Sequence, residues 1–142
     1  MIVTVNEEFP DKDLWIDFMN KEMKIRDFPD KIKGCVDIDH TKIEPFFMTL
    51  LERLDQNGKI TRAWIHFMTP GSDHDTGHNH QTDTGVYYLQ TAKNTSKLRF
   101  PDLDIEIEPY DGLFVIVPAK EIHAMTENKS DGIRLTLAFC IE

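Results

Sequence analysis

The chain has 142 residues, enough for one domain with a real core, and 40% of them are hydrophobic. A formal charge of −9, from 25 acidic against 16 basic residues, argues against nucleic-acid backbones as the main partner. The sequence shows no signal-peptide pattern, no bilayer-spanning apolar run and no Cys-x-x-C around Cys35 or Cys140, so a cytoplasmic setting with reduced thiols is expected.

Met1 to Val5 reads as a short strand. Pro10 to about Met19 reads as a helix, since proline fits a first turn and Leu14/Phe18 and Trp15/Met19 form i,i+4 apolar pairs. Residues 20–40 give no clear pattern. A second helix follows: Thr41 and Glu44 have capping-box spacing, Ile43, Phe46, Phe47, Leu50, Leu51 and Leu54 make one apolar stripe, and Asn57-Gly58 stops it. From Lys59 the pattern changes to short strands, at 60–68, 84–91, 98–100, 105–108, 113–117, 122–126 and 133–141. Residues 109–112 and 128–132 carry hairpin-type turn chemistry. Two helices followed by about seven strands predict an antiparallel β-sandwich or barrel buttressed by helices. No linker divides the chain, so 1–142 reads as a single domain, with 1–58 as support and 59–142 as the β core.

In the last strand Ile133, Leu135, Leu137 and Phe139 fall on one face, and Arg134, Thr136, Ala138 and Cys140 on the other. The first face requires a hydrophobic layer. An arginine in the second, small-residue row either meets solvent or points into a cavity that holds an anion.

Of six histidines, His40 and His74 read as surface residues, and His66 as either core or cavity wall. His78 and His80 stand two apart, so an extended chain directs both rings to one side. Either they belong to a polar loop, or they offer two imidazoles to a metal; His123, on a later returning strand, would complete a three-imidazole face.

The order His78-Asn-His80, TGVYYL (84–89), RFPD (99–102), GLFVIVP (112–118), His123 and ENKSDGIRLTLAF (127–139), with Trp64 in TRAWIHF at the head, resembles the Fe(II)- and 2-oxoglutarate-dependent oxygenases. It is most similar to small prolyl-hydroxylase-like bacterial and phage members. The resemblance covers roughly residues 60–141. It implies a mainly β double-stranded β-helix, the jelly-roll or cupin-like barrel, behind N-terminal helices. It also implies Fe(II) held by His78, His80 and His123, the catalytic ligands, and 2-oxoglutarate as cosubstrate. Arg134 would pair with the distal carboxylate of the keto acid, Thr136 would add a hydroxyl, and Tyr88 would line the same pocket, with Thr84 and Val86 on the lumen side.

One position departs from the family pattern. His80 stands where most relatives have Asp or Glu, so an all-histidine face, an oxygen from Asp83 or Asp75, and a silent site are the three alternatives. The implied activity is a dioxygenase, by default a hydroxylase, acting with dioxygen on a small-molecule or peptidyl substrate. Two competing classes are a cupin-type metalloenzyme that does not use 2-oxoglutarate and a non-catalytic jelly-roll module. The absence of a Glu between His80 and Glu106 weighs against the cupin pattern.

Overall fold

Strict alternation in the last strand organises the molecule. The computed structural model describes residues 2–26 and 33–142. In chain order its elements are β1 (Val3–Asn6), α1 (Lys12–Arg26), β2 (Lys33–Ile38), α2 (Glu44–Arg53), β3 (Ile60–Met68), β4 (Asp83–Gln90), β5 (Leu98–Phe100), β6 (Ile105–Ile107), β7 (Leu113–Val117), β8 (Ala124–Met125) and β9 (Arg134–Ile141). One six-stranded sheet has the order β1-β7-β4-β9-β3-β2, and a three-stranded sheet has the order β6-β5-β8. All pairings are antiparallel. The result is a mainly β double-stranded β-helix with two helices on one side.

Strand β9 sits between β3 and β4, so its two faces belong to two environments. Leu135, Leu137 and Phe139 join Ile65, Phe67, Tyr87, Phe114 and the helical residues Trp15, Met19, Phe47 and Leu50 in the main core. Burying each such side chain is worth about 1.5–3 kcal/mol, so this face fixes the register: a slip of one residue would expose the whole set. The opposite face, with Arg134, Thr136 and Ala138, lines a cavity. A smaller cluster of Tyr88, Leu98, Phe100, Leu113, Val115 and Val117 closes the two sheets on each other.

Helix α1 runs seven residues beyond the expected end at Met19, to Arg26. Met23 extends the Trp15–Met19 stripe by another four residues and packs against the core, whereas Leu14 is 60% exposed and adds nothing to it. At α2 the expected capping box is not formed. Asp39 takes that role for a preceding short helical turn, accepting from the Thr41 amide at 3.0 Å and hydroxyl at 2.7 Å, and Ile43 begins α2 with no side-chain cap. The helix ends at Arg53 with Leu54 as its C-cap, before Asn57-Gly58, and Asp55 takes the left-handed conformation there (φ 56°).

Part of the unassigned segment 20–40 is strand β2, and 27–32 lie outside the described residues. Val36 is its one fully buried residue, so an edge strand of this kind leaves little hydrophobic signal. The 109–112 and 128–132 turns connect strands of different sheets rather than forming hairpins. In the second, Asn128 is fully buried: its amide donates to the Met68 carbonyl at 2.9 Å and the Gly132 carbonyl at 3.1 Å, and its oxygen accepts from the Ser130 hydroxyl at 2.6 Å. That network ties the start of β9 to the end of β3.

Gly85 lies directly across from Phe139, whose ring covers it; a Cβ there would sit 2.4 Å from the ring. Gly85→Ala is therefore expected to destabilise the protein by about 1–3 kcal/mol, the usual cost of overpacking a filled core. A melting temperature at or above that of the parent would refute this packing account. No described helix is long and apolar enough to cross a membrane.

Candidate metal centre and acid pocket

The His-x-His segment precedes β4 and is fixed by main-chain pairing with the chain that enters β8. His78 and His123 exchange two backbone hydrogen bonds of 2.9 Å, and the Lys120 amide donates to the His80 carbonyl at 2.8 Å. Period-two geometry then sends both His78 and His80 rings to the side where His123 stands. One ligand nitrogen from each of the three rings lies within 4.8 Å of the others. The ring centroids are 5.0 Å apart for His78–His80, 4.4 Å for His78–His123 and 5.3 Å for His80–His123.

Their surroundings suit metal coordination. His123 is 7% exposed and its Nδ1 lies 3.2 Å from the Glu121 carbonyl, an arrangement in which Nδ1–H donates and Nε2 is free to bind. Burial, with neighbouring His78, lowers the pKa of His80, and burial does the same for His123, so both rings favour the neutral form that a metal requires. His78 is exposed, so the cluster opens toward solvent on one side.

Neither candidate carboxylate joins the cluster. Asp83 accepts from the Ala119 amide at 2.8 Å, outside the three-ring group. Asp75 accepts from the Met125 amide at 2.9 Å and the Gly77 amide at 3.2 Å, bracing the loop that carries His78. Among the described residues, the metal-sized group is therefore all imidazole, a donor set that suits iron, zinc, copper or nickel.

The same cavity, about 430 Å³, extends from these rings to Arg134 and Thr136 on β9. Arg134 is 2% exposed, and among the described residues its Nε and Nη1 have no hydrogen-bond partner; the buried Thr136 hydroxyl has none either. No described carboxylate forms an ion pair with that guanidinium. Its Nη2 donates to His66 Nδ1 at 3.0 Å and to the Met125 thioether at 2.9 Å. The Tyr88 ring lies 5.7 Å from the guanidinium carbon. A buried cation with unspent donors beside an unspent hydroxyl is costly unless an anion arrives, so the pocket fits a carboxylate. Of the two readings left open for Arg134, the cavity is the one observed.

Of the other sequence candidates, Thr84 and Val86 line the cavity alongside Tyr88, as their alternation predicts. His74 is exposed and outside the cluster, and His40 lies 3.3 Å from Glu44 on the surface. His66 proves to be cavity wall. Trp64, whose ring is 6.0 Å from that of His80, and Met125 also belong to the site. The β3 alternation, which places Trp64 and His66 on one side, was the available signal for the first of these; Met125 had none.

Burial lowers the pKa of His66 to about 3, helped by the Arg134 charge. Unfolded, a histidine protonates near 6.5, so between about 6.5 and 3 the unfolded chain binds a proton that the folded chain refuses. Stability from this group is present above that window and is lost as the pH falls through it. His66→Asn is expected to flatten the acid dependence of unfolding free energy by about one proton. Parallel pH profiles for the two proteins would contradict this.

No family model matches the sequence, and no curated protein matches it either. Solved structures do match. A viral collagen prolyl hydroxylase from Paramecium bursaria Chlorella virus-1, in its 2OG complex, aligns over 99% of this chain and 94% of its own, with a TM-score of 0.75 and 14% identity. A Pseudomonas putida prolyl-4-hydroxylase aligns over 99% and 92%, with a TM-score of 0.68 and 14% identity. A cupin domain from Bordetella pertussis aligns over 81% and 98%, with a TM-score of 0.53 and 14% identity. The chain thus has the double-stranded β-helix fold of the 2OG-Fe(II) oxygenases. Nearly its full length aligns with these oxygenase structures.

Proposed function

We propose that the chain is an Fe(II)- and 2-oxoglutarate-dependent dioxygenase that hydroxylates a small-molecule or peptidyl substrate. The observation that carries this reading is the buried Arg134, with Nε and Nη1 unpaired among the described residues, in the same cavity as three converging imidazoles. His78, His80 and His123 would hold the iron, and Arg134 with Thr136 would bind the distal carboxylate of the keto acid. When bound, these two groups supply the oxidation: one oxygen atom of dioxygen ends in succinate, with loss of carbon dioxide, and the other in the substrate. The chain's own contribution is to orient the acid through fixed donors and to exclude water with Val86, Leu98 and Ala138. A cytoplasmic setting belongs to the same reading and is supported by the free thiols of Cys35 and Cys140.

The likeness to the cupin domain favours one competing reading, a metalloenzyme on the same imidazoles that ignores keto acids. That reading leaves Arg134 without a ligand. Aerobic incubation with Fe(II) and 2-oxoglutarate separates the two. Slow succinate formation that a chelator abolishes is the expected result, whereas metal binding with no succinate would favour the cupin reading.

A further inference from the structure

We propose that His66 is a positioning residue of the acid pocket, holding the Arg134 guanidinium by one corner so that its remaining donors face the incoming carboxylate. The inference rests on the oxygenase reading and concerns a residue outside the metal group and outside the carboxylate contacts.

Arginine only donates, so the 3.0 Å contact from Arg134 Nη2 requires His66 Nδ1 to be the acceptor and places the ring proton on Nε2. The two residues sit on neighbouring strands: His66 pairs with Thr136 and Met68 with Arg134, so the imidazole stands one pair further along the same face. Both hydrogens of Nη2 are engaged, one by His66 and one by the Met125 sulfur. The two acceptors differ in kind. A ring nitrogen on a central strand is a strong, fixed partner, and a thioether is a weak one on a flexible stem. His66 is therefore the anchor, and Met125 is the contact that an arriving carboxylate can displace. Without His66, a long side chain with several rotatable bonds would keep, among the described residues, only the weak Met125 sulfur as a hydrogen-bond acceptor to set its direction before the ligand binds. Preorganisation of that kind shows up in affinity for the group it serves and not elsewhere.

The test compares two keto acids that share the metal-binding end. 2-Oxoglutarate carries a distal carboxylate and pyruvate does not. Under argon, Fe(II)-loaded wild type, His66→Leu and His66→Asn are titrated with each acid, and Fe(II) affinity is measured separately. His66→Leu is expected to weaken 2-oxoglutarate binding by roughly tenfold or more, as for the loss of a hydrogen bond to a charged group. Pyruvate and Fe(II) binding should stay unchanged. His66→Asn, which keeps an acceptor near the Nδ1 position, should recover most of the loss. Equal 2-oxoglutarate affinity in His66→Leu, or equal losses for both acids, would overturn the proposal. Nitrogen-15 spectra of wild type give an answer that does not depend on how the variants fold: the Nε2–H tautomer is expected, and an Nδ1–H ring would overturn it. Wild type that binds Fe(II) but no 2-oxoglutarate would instead sink the oxygenase reading, and this inference with it.

Discussion

Replacing Arg134 with methionine is expected to raise the melting temperature of the ligand-free protein and to abolish its response to 2-oxoglutarate. The two effects have one cause. A guanidinium that is 2% exposed, with no ion-paired carboxylate and two unpaired nitrogens among the described residues, costs free energy in the ligand-free protein. Methionine fills a similar volume without charge, and exchanges of this kind gain about 1–4 kcal/mol when the buried charge was poorly compensated. In the proposed complex the same charge would be the principal attraction for a dicarboxylic acid. Losing charge-assisted hydrogen bonds of about 1.5–3 kcal/mol each predicts roughly a hundredfold weaker binding or worse. Thermal melts with and without 2-oxoglutarate read both effects together. A variant that is less stable than wild type when empty, yet still stabilised by the keto acid, would show that the arginine is structural.

The second large effect is expected at His123. Its ring is the most enclosed of the three and has Nδ1 against the Glu121 carbonyl, so it is the most firmly oriented. Loss of a partner that merely orients a ligand commonly costs 10–100-fold in metal affinity, so loss of the ligand itself, in His123→Ala, should cost roughly a hundredfold or more. The fold should survive, because the His78–His123 pairing is made by main-chain atoms that alanine retains. His74→Ala is the control: it lies in the loop that carries His78 and His80, is exposed, and stands outside the cluster, so its Fe(II) affinity should not change. Equal affinity in wild type and His123→Ala, measured by competition with a chelator, would remove His123 from the centre.

Much of this arrangement was legible before any coordinates. The alternation in 133–141 fixed which residues of β9 face the core, and with it the placement of Arg134 and Thr136 together on the other side. The spacing of His78 and His80 placed two rings on one side, and the order of motifs along the chain supplied His123. What was not legible depends on contacts between distant segments. Strand β2 is an edge strand with one buried side chain, and its pairing partner β3 is what makes it a strand. The capping box expected at Thr41 is absent because a short helical turn, capped by Asp39, precedes the second helix, which itself begins without a side-chain cap. Asp75 and Asp83 looked like possible oxygen ligands, and only the fold shows that main-chain amides occupy them. His66 was ambiguous because its meaning lies in a neighbour 68 residues away.

The central claim is that three imidazoles and a buried guanidinium serve one cavity built for a metal and a 2-oxo dicarboxylic acid. The most direct measurement is anaerobic absorption spectroscopy of the Fe(II)-loaded protein during addition of 2-oxoglutarate. A weak visible charge-transfer band should grow and saturate in wild type, and stay absent at the same concentrations in Arg134→Met and in His123→Ala. A protein that takes up Fe(II) but gives no band, or a band of equal strength and midpoint in Arg134→Met, would contradict the account.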